Sequence, residues 1–323
     1  MKLVDTLPLP EYTPGLHQVA DGTYAYLGRL GWGWSNAGLV VGAGQSLLVD
    51  TLFTLGLTRD LLHAVRQAAP AAPVSTVVTT HANPDHTWGN QLLDEAEIIS
   101  SRQTAEDSSH EVPPEVVRAL LTGPVADGLE TEYLHRHFGV FDFSGITPVG
   151  PTRTFDGRLE LDVGGRAVEL LEVGPAHTPG DVIVHVPDAR VVYTGDVLFI
   201  GDFPVCWTSP LSSWVGACDQ LLATGAQRFV PGHGPVTTVA GVREFRGFLQ
   251  EVGTYAVRRA KEGTPLLTAA AEAPVEHYAW GCAERVVTAI ASGYQEVGAP
   301  VEDGESQLGM MGLIARFDAV RRG

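Results

Sequence analysis

Four short stretches of the sequence combine histidine, aspartate and glycine in patterns that favour metal chemistry. Imidazole and carboxylate groups are the ligands that borderline divalent ions such as zinc take in proteins. One such histidine alone would more often be an ordinary loop or core residue. Four stretches in one chain instead predict a metal site, with the candidate ligands His81, Asn83, Asp85, His86, His177, Asp196 and His233.

A strand-like segment precedes each stretch, at residues 76–80, 166–173, 191–194 and 228–230. The candidate ligands therefore fall at junctions between strand and loop, where flanking glycines let the backbone come close to an ion. Residues two apart in an extended segment point the same way, so His81 and Asn83 can face one point. Asp85 and His86 follow the turn at Pro84 and begin the next helix, so they can face a second point.

The rest of the chain alternates strand and helix patterns. Apolar alternation around glycine-containing turns predicts two hairpins, over residues 16–27 and 37–51. Helices are predicted at residues 58–69, 212–224, 239–262 and 283–297, and further strands at 158–162 and 182–186. This order predicts an α/β protein with two sheets packed face to face and helices outside.

Residues 101–145 depart from this alternation. They form helical patterns rich in acids and histidine, with breaks at Pro113-Pro114 and Gly123-Pro124. We interpret this segment as a helical lid inserted into a core domain of residues 1–250. A helical extension over residues 251–323 is expected to pack on one edge of the core or to form a homodimer contact.

Composition limits the classes of partner. The net charge of −17 argues against nucleic acid, because a phosphate backbone needs a basic surface. No segment approaches the roughly 20 apolar residues that span a membrane, and the start of the chain has no apolar segment behind basic residues. We therefore expect a cytoplasmic protein that acts on a small molecule, without membrane or nucleic-acid contacts.

The motifs HxNxDH, HTPGD, TGD and GHG resemble the HxHxDH–H–D–H signature of the metallo-β-lactamase superfamily. They cover residues 81–233, and the strand pattern extends the match back to about residue 16. The resemblance implies an αββα sandwich. It also implies one metal held by His81 and His177, a second held by Asp85, His86 and His233, and Asp196 bridging both. Asp50 is expected either to orient a ligand, as this family's buried aspartate commonly does, or simply to cap its strand.

Asn83 departs from the signature, because the family usually has a second histidine there. An amide oxygen is a weaker ligand than imidazole, so the first metal should bind less tightly. Two alternatives stay open: one firmly held ion at Asp85, His86 and His233, or a less zinc-like pair such as iron or manganese. The expected cofactor is zinc, as one or two ions.

A bound divalent ion lowers the pKa of its water to about 7, which gives a hydroxide that attacks an acyl carbon. Asp85 is the best candidate to hold or transfer the proton of that water, so we assign it the catalytic role. The sequence has no Gly-x-Ser-x-Gly elbow, which removes the main rival hydrolase chemistry. The sequence therefore predicts a metallo-hydrolase.

The predicted substrate pocket has an aromatic wall of Trp32, Trp34, Trp88 and Trp207, with Cys206 beside Trp207. The segments THANPDHTWGN and LPLPEYTPGLHQVADGTYAYLG are similar to actinomycete cyclase-thioesterases of aromatic polyketide biosynthesis. That similarity implies an acyl thioester substrate, possibly a polyketide bound to a carrier protein. Two alternatives remain: a generic ester or lactone hydrolase of the same fold, and a metal-binding protein with little turnover.

Overall fold

The computed structural model describes residues 8–122, 128–208, 210–301 and 306–323, so the predicted break at Gly123-Pro124 lies outside the described residues. The described chain contains a seven-stranded and a five-stranded sheet. The first follows chain order: β1 Gly15–Ala20, β2 Thr23–Leu27, β3 Ala37–Val41, β4 Ser46–Val49, β5 Val74–Val78, β6 Glu97–Ser101 and β7 Arg153–Phe155. The second runs in reverse order from β12 to β8: β8 Arg158–Val163, β9 Arg166–Glu172, β10 Val182–Val186, β11 Val191–Tyr193 and β12 Arg228–Val230.

Each sheet changes from antiparallel to parallel pairing toward the strands that precede the candidate ligands. Strands β4 to β7 pair in parallel, as do β11 and β12, and the other pairs are antiparallel. Because parallel strands end at the same edge of a sheet, the loops after β5, β11 and β12 leave from shared edges. Both predicted hairpins are confirmed, whereas β6 and β7 were not predicted.

Ten α-helices surround the sheets in the described part of the chain. They are α1 Leu55–Ala68, α2 Pro84–Thr87, α3 Arg102–Asp107, α4 Pro114–Thr122, α5 Leu129–Phe138, α6 Leu211–Ala223, α7 Val239–Lys261, α8 Leu266–Ala271, α9 Val286–Glu296 and α10 Gln307–Arg322. The domain boundary placed at residue 250 falls inside the continuous helix α7. The division into a core and a C-terminal helical extension stays a prediction.

Three apolar clusters confirm the αββα layering. Between the sheets, buried residues such as Val78 of the first sheet pack with Val184 of the second. Helix α1 covers the outer face of the first sheet through Leu61. On the other side, Trp214 and Ile290 belong to the cluster that joins α6 and α9 to the second sheet. No helix of the described chain has both the length and the apolar character needed to span a bilayer.

Tyr193 crosses from the second sheet into the first. Its hydroxyl lies 3.0 Å from the carbonyl oxygens of Tyr24 and Leu39, which are paired residues of β2 and β3. Gly38 makes room for the ring, since a Cβ there would lie 2.4 Å from ring atoms of Tyr193. This buried hydrogen bond fixes the two sheets relative to each other next to the loop that carries Asp196.

We expect Tyr193→Phe to lower the free energy of unfolding by about 1 kcal/mol in urea denaturation, because it removes one buried hydrogen bond. Tyr26→Phe is the matched control: Tyr26 is half-buried on β2, and its hydroxyl makes no hydrogen bond to the described residues. Equal losses in both variants would show that the inter-sheet hydrogen bond contributes nothing specific.

Candidate metal centre

The carboxylate of Asp196 lies at the centre of a buried group of histidines. Its oxygen atoms lie 3.1 Å from His86 Nε2, 3.3 Å from His233 Nε2, 3.4 Å from His177 Nε2 and 3.8 Å from His81 Nε2. A second carboxylate, that of Asp85, lies 3.4 Å from His233 Nε2. We call these six residues the His/Asp cluster. The structure thus brings residues from both sheets together at one point.

The residues of the cluster lie in the loops and short helical turns that follow strands. His81 follows β5, His177 lies in the loop between β9 and β10, and His233 follows β12. Asp196 lies in the short 3₁₀ turn Gly195–Val197 after β11. Asp85 and His86 belong to α2, which Pro84 begins, a position where proline costs no hydrogen bond. These placements are the ones that the sequence predicted.

Two loops approach so closely at the centre that position 232 requires glycine. A Cβ on Gly232 would lie 1.8 Å from Asp196 Oδ1. Asn36 holds this loop in place, because its Nδ2 donates hydrogen bonds to the carbonyl oxygens of Pro231 at 2.9 Å and Gly234 at 2.8 Å. The backbone before and after His233 is therefore tied to the first sheet.

Asp50 fixes the orientation of His86. The Nδ1 of His86 lies 2.9 Å from Asp50 Oδ2, and the backbone N–H and hydroxyl of Thr80 donate to the same carboxylate at 2.8 Å. A ring that donates from Nδ1 presents the lone pair of Nε2 to the cluster. Asp50 therefore ties the chain after β5 and also directs a candidate ligand.

Asn83 lies between His177 and Glu111. Its Oδ1 is 2.8 Å from His177 Nε2, and its Nδ2 donates to Glu111 Oε1 at 3.0 Å. The other ring nitrogen of His177 contacts the carbonyl oxygen of Val205 at 2.9 Å. Because Glu111 takes the amide N–H, the amide oxygen faces the cluster, as a ligand would. Burial raises the pKa of Glu111 to about 7.

Burial and mutual charge interactions shift the pKa values of residues in the cluster. Burial lowers the pKa of His81 well below its usual value and that of His177 to about 4. Burial also acts to lower the pKa of His86, but the carboxylates of Asp196, Asp85 and Asp50 outweigh it and raise that pKa well above its usual value. Burial would raise the pKa of Asp196, yet the surrounding histidines lower it well below its usual value. The low pKa values of His81 and His177 keep both rings neutral near pH 7, as histidine ligands of a metal ion must be.

Unpartnered atoms inside the cluster fit a divalent ion. His81 Nε2, His86 Nε2 and Asp196 Oδ1 are buried and have no hydrogen-bond partner among the described residues. Ligand atoms of His81, His86 and Asp196 lie within 4.8 Å of one another, and so do those of Asp85, His86 and His233. Mixed nitrogen and oxygen donors at such separations suit zinc and similar ions.

A cavity of about 150 Å³ opens onto the cluster. Its lining includes Asp85, His177, Asp196 and His233 from the cluster, with Trp32 and Trp207 from the predicted aromatic wall. The insertion supplies the largest apolar part of the wall, with Val112, Val117, Leu120, Leu121, Leu134 and Phe138. The C-terminal helix α10 adds Gln307, Leu308 and Met311. Both segments outside the two sheets therefore shape the cavity.

Three residues of the predicted pocket do not line this cavity, and the expectation is corrected for them. Trp34 packs outside it on Phe141, with ring centroids 4.8 Å apart. Trp88 stacks behind the wall on Phe53, which takes its place in the lining. Cys206 is turned inward, and burial raises the pKa of its thiol to about 12.

Sequence reasoning missed Phe53, Glu111 and Arg285, which all line the cavity. For the insertion a signal existed, because Val117, Leu120 and Leu121 follow the spacing of one helix face. No local pattern marks Phe53, Glu111 and Arg285, because their positions depend on contacts between distant segments.

Comparison with known proteins decides the family. The profile of the metallo-beta-lactamase superfamily matches residues 30–233. The chain belongs to the metallo-beta-lactamase superfamily. The predicted resemblance and the predicted αββα fold are confirmed at this level, and the prediction of a metallo-hydrolase agrees with the hydrolases among the relatives. Superfamily membership implies a divalent metal at the His/Asp cluster.

Two curated relatives illustrate the range of activities. The acyl-coenzyme A thioesterase MBLAC2 of Bos taurus is 27% identical over 256 residues, covering 69% of this chain and 84% of that protein. The 2,4-dinitroanisole O-demethylase subunit alpha of Nocardioides sp. is 29% identical over 196 residues. That match covers 58% of this chain but only 48% of the demethylase subunit.

Solved structures support the fold. The sec-alkylsulfatase Pisa1 from Pseudomonas sp. superposes with a TM-score of 0.66 at 17% identity, covering 89% of this chain and 51% of that protein. A metallo-beta-lactamase from Pontibacter korlensis gives a TM-score of 0.55 at 19% identity, covering 74% of this chain and 99% of that protein.

We expect Asp50→Asn to weaken divalent metal binding by about 10- to 100-fold, because a carboxylate that orients a metal-binding histidine contributes on this scale. Asparagine tolerates the left-handed backbone of this position, whose φ is 61°, so the fold should be kept. Metal affinity is measured by competition with a chromophoric chelator.

The matched control is Asp60→Asn, on the exposed side of α1. His86→Ala should reduce bound metal further than Asp50→Asn does. If Asp50→Asn binds metal as tightly as the unmodified protein does, the orienting contact has no role in metal binding.

Proposed function

We propose that this protein hydrolyses acyl thioesters whose acyl group is apolar, with zinc as the bound ion. The observation that carries the proposal is the apolar cavity that ends at the His/Asp cluster. A cavity of about 150 Å³ is comparable to engineered apolar cavities that accept benzene, so one ring or a short alkyl segment fits inside.

The walls of the cavity support this substrate class. Phe53, Phe138 and Phe199 present aromatic surface, and Trp207 is half-buried beside them. Such walls favour an apolar acyl group over a sugar or a nucleotide. The relation to MBLAC2, an acyl-coenzyme A thioesterase aligned over most of its length, supports a thioester at the reacting end.

Four residues would hold the firmest ion: Asp85, His86, Asp196 and His233. His81, His177 and the amide oxygen of Asn83 would form a second, weaker position, which leaves iron or manganese as alternatives to zinc. When bound, the ion supplies water of lowered pKa, near about 7, and polarises the acyl carbonyl. These roles are part of the proposal.

The protein's own residues then handle substrate and protons. Asp85 is 17% exposed and lines the cavity, so its carboxylate can take a proton from the attacking water and pass it to the leaving thiolate. Asp50 keeps His86 oriented during turnover. The apolar walls exclude bulk water around the acyl group, which strengthens electrostatic interactions at the carbonyl.

More specifically, we propose that the protein is a cyclase-thioesterase that acts in the cytoplasm on an aromatic polyketide bound to a carrier protein. The aromatic lining supports it, together with the similarity of residues 7–28 and 80–90 to such enzymes. We also propose that the protein forms a homodimer through its C-terminal helices.

Release of free thiol from synthetic acyl thioesters tests the proposal. We expect hydrolysis of aryl and medium-chain acyl thioesters, loss of activity on metal removal by a chelator, and recovery when zinc is added back. Oxygen esters, lactones and alkyl sulfates of matched acyl or alkyl groups are the comparison substrates. Faster turnover of a lactone or a sulfate than of any thioester would contradict the thioesterase assignment, and no turnover by fully metal-loaded protein would favour a binding protein.

A further inference from the structure

Arg285 is a buried cation in the wall of the active-site cavity. Its side chain lines the same cavity as His177 and His233, and the residue is only 1% exposed. It ends the 3₁₀ turn Ala283–Arg285 and directly precedes α9. Nothing in the metal chemistry described above uses this guanidinium.

The guanidinium of Arg285 has fewer partners than its donors require. Among the residues that the structure describes, it makes one hydrogen bond, from Nη1 to the carbonyl oxygen of Phe203, which is 3.3 Å long. The Nε is buried without a hydrogen-bond partner, and the described residues provide no ion pair to the side chain. A buried charge without a counter-ion is strongly unfavourable, which indicates that a further partner binds here.

Two neighbours hold the guanidinium without neutralising it directly. The Cζ of Arg285 lies 4.0 Å from the centroid of the Trp32 ring, so the indole forms a platform for it. Glu284 lies next in sequence, but its Oε1 accepts hydrogen bonds from Trp32 Nε1 at 3.2 Å and from the Tyr133 hydroxyl at 2.9 Å. The carboxylate of Glu284 thus positions the platform.

Arg228 shows what a structural arginine looks like in this protein. It is 6% exposed and donates from Nη1 to the carbonyl oxygens of Val19, at 2.6 Å, and of Pro8. It ties the start of the chain to β12 and lies outside the cavity lining. Arg285 differs in both respects, since it has one long hydrogen bond and faces the cavity.

We propose that Arg285 binds a carboxylate carried by the substrate at a distance from its thioester carbonyl. This inference rests on the proposed function and adds one feature to its substrate class, a carboxylate at the far end of an otherwise apolar acyl group. The planar guanidinium offers paired N–H donors that match a carboxylate in bidentate geometry. Arg285 directly precedes α9, and the positive potential at the N-terminus of this helix further favours an anion.

The kinetic test compares two series of thioesters, ω-carboxyacyl and methyl-ended, over the same range of chain lengths. At the chain length that spans the cavity, we expect the metal-loaded protein to have a higher kcat/KM for the ω-carboxyacyl thioester than for the methyl-ended thioester. In Arg285→Met this ratio of kcat/KM values should fall by about 10- to 100-fold, the loss of a charge-assisted hydrogen-bonded pair. Arg285→Lys keeps the charge without the planar donor pair and should lie between the two. Arg66→Met, an exposed substitution on α1, is the matched control.

A binding test separates this inference from the thioesterase assignment. Thioether analogues, in which CH₂ replaces the thioester carbonyl, are titrated by calorimetry with and without the terminal carboxylate. Carboxylate-dependent binding that Arg285→Met loses supports the inference even if no thioester is hydrolysed. Equal affinity of the unmodified protein for both analogues would overturn the inference. An unchanged preference for the carboxylated analogue in both Arg285→Met and Arg285→Lys, at native metal content, would also overturn it.

Discussion

A buried carboxylate is stable only where positive charge or hydrogen-bond donors surround it, and Asp196 is such a group. It is 4% exposed, and four imidazole rings direct Nε2 atoms toward it. The carboxylates of Asp196, Asp85 and Asp50 raise the pKa of His86, and a divalent ion bound among these side chains would supply positive charge to Asp196. The close loop at Gly232 and the support from Asp50 both follow from this requirement.

The positions of the cluster residues could be predicted because the signal is local. His81, His177 and His233 each follow a strand in the sequence, and strand periodicity places them at sheet edges without knowledge of the packing. The order of strands and helices likewise predicted two sheets with helices outside, which the structure confirms. The insertion was recognised as helical for the same reason.

The walls of the cavity could not be predicted in the same way. Arg285 and Trp32 are distant in sequence, and tertiary packing places the guanidinium of Arg285 over the Trp32 ring. Trp34 and Trp88 show the converse, since their chain positions suggested a pocket, but contacts with Phe141 and Phe53 direct them elsewhere. The predicted boundary at residue 250 falls within α7, because apolar periodicity along a helix carries no signal of where one domain ends.

Strand ends of both sheets meet in this structure where one metal ion can bind. Anomalous diffraction at the absorption edge of the ion bound by the purified protein tests this binding most directly. We expect a peak within bonding distance of Asp85, His86, Asp196 and His233. A peak only at surface residues, or metal-loaded crystals without a peak in the His/Asp cluster, would contradict it.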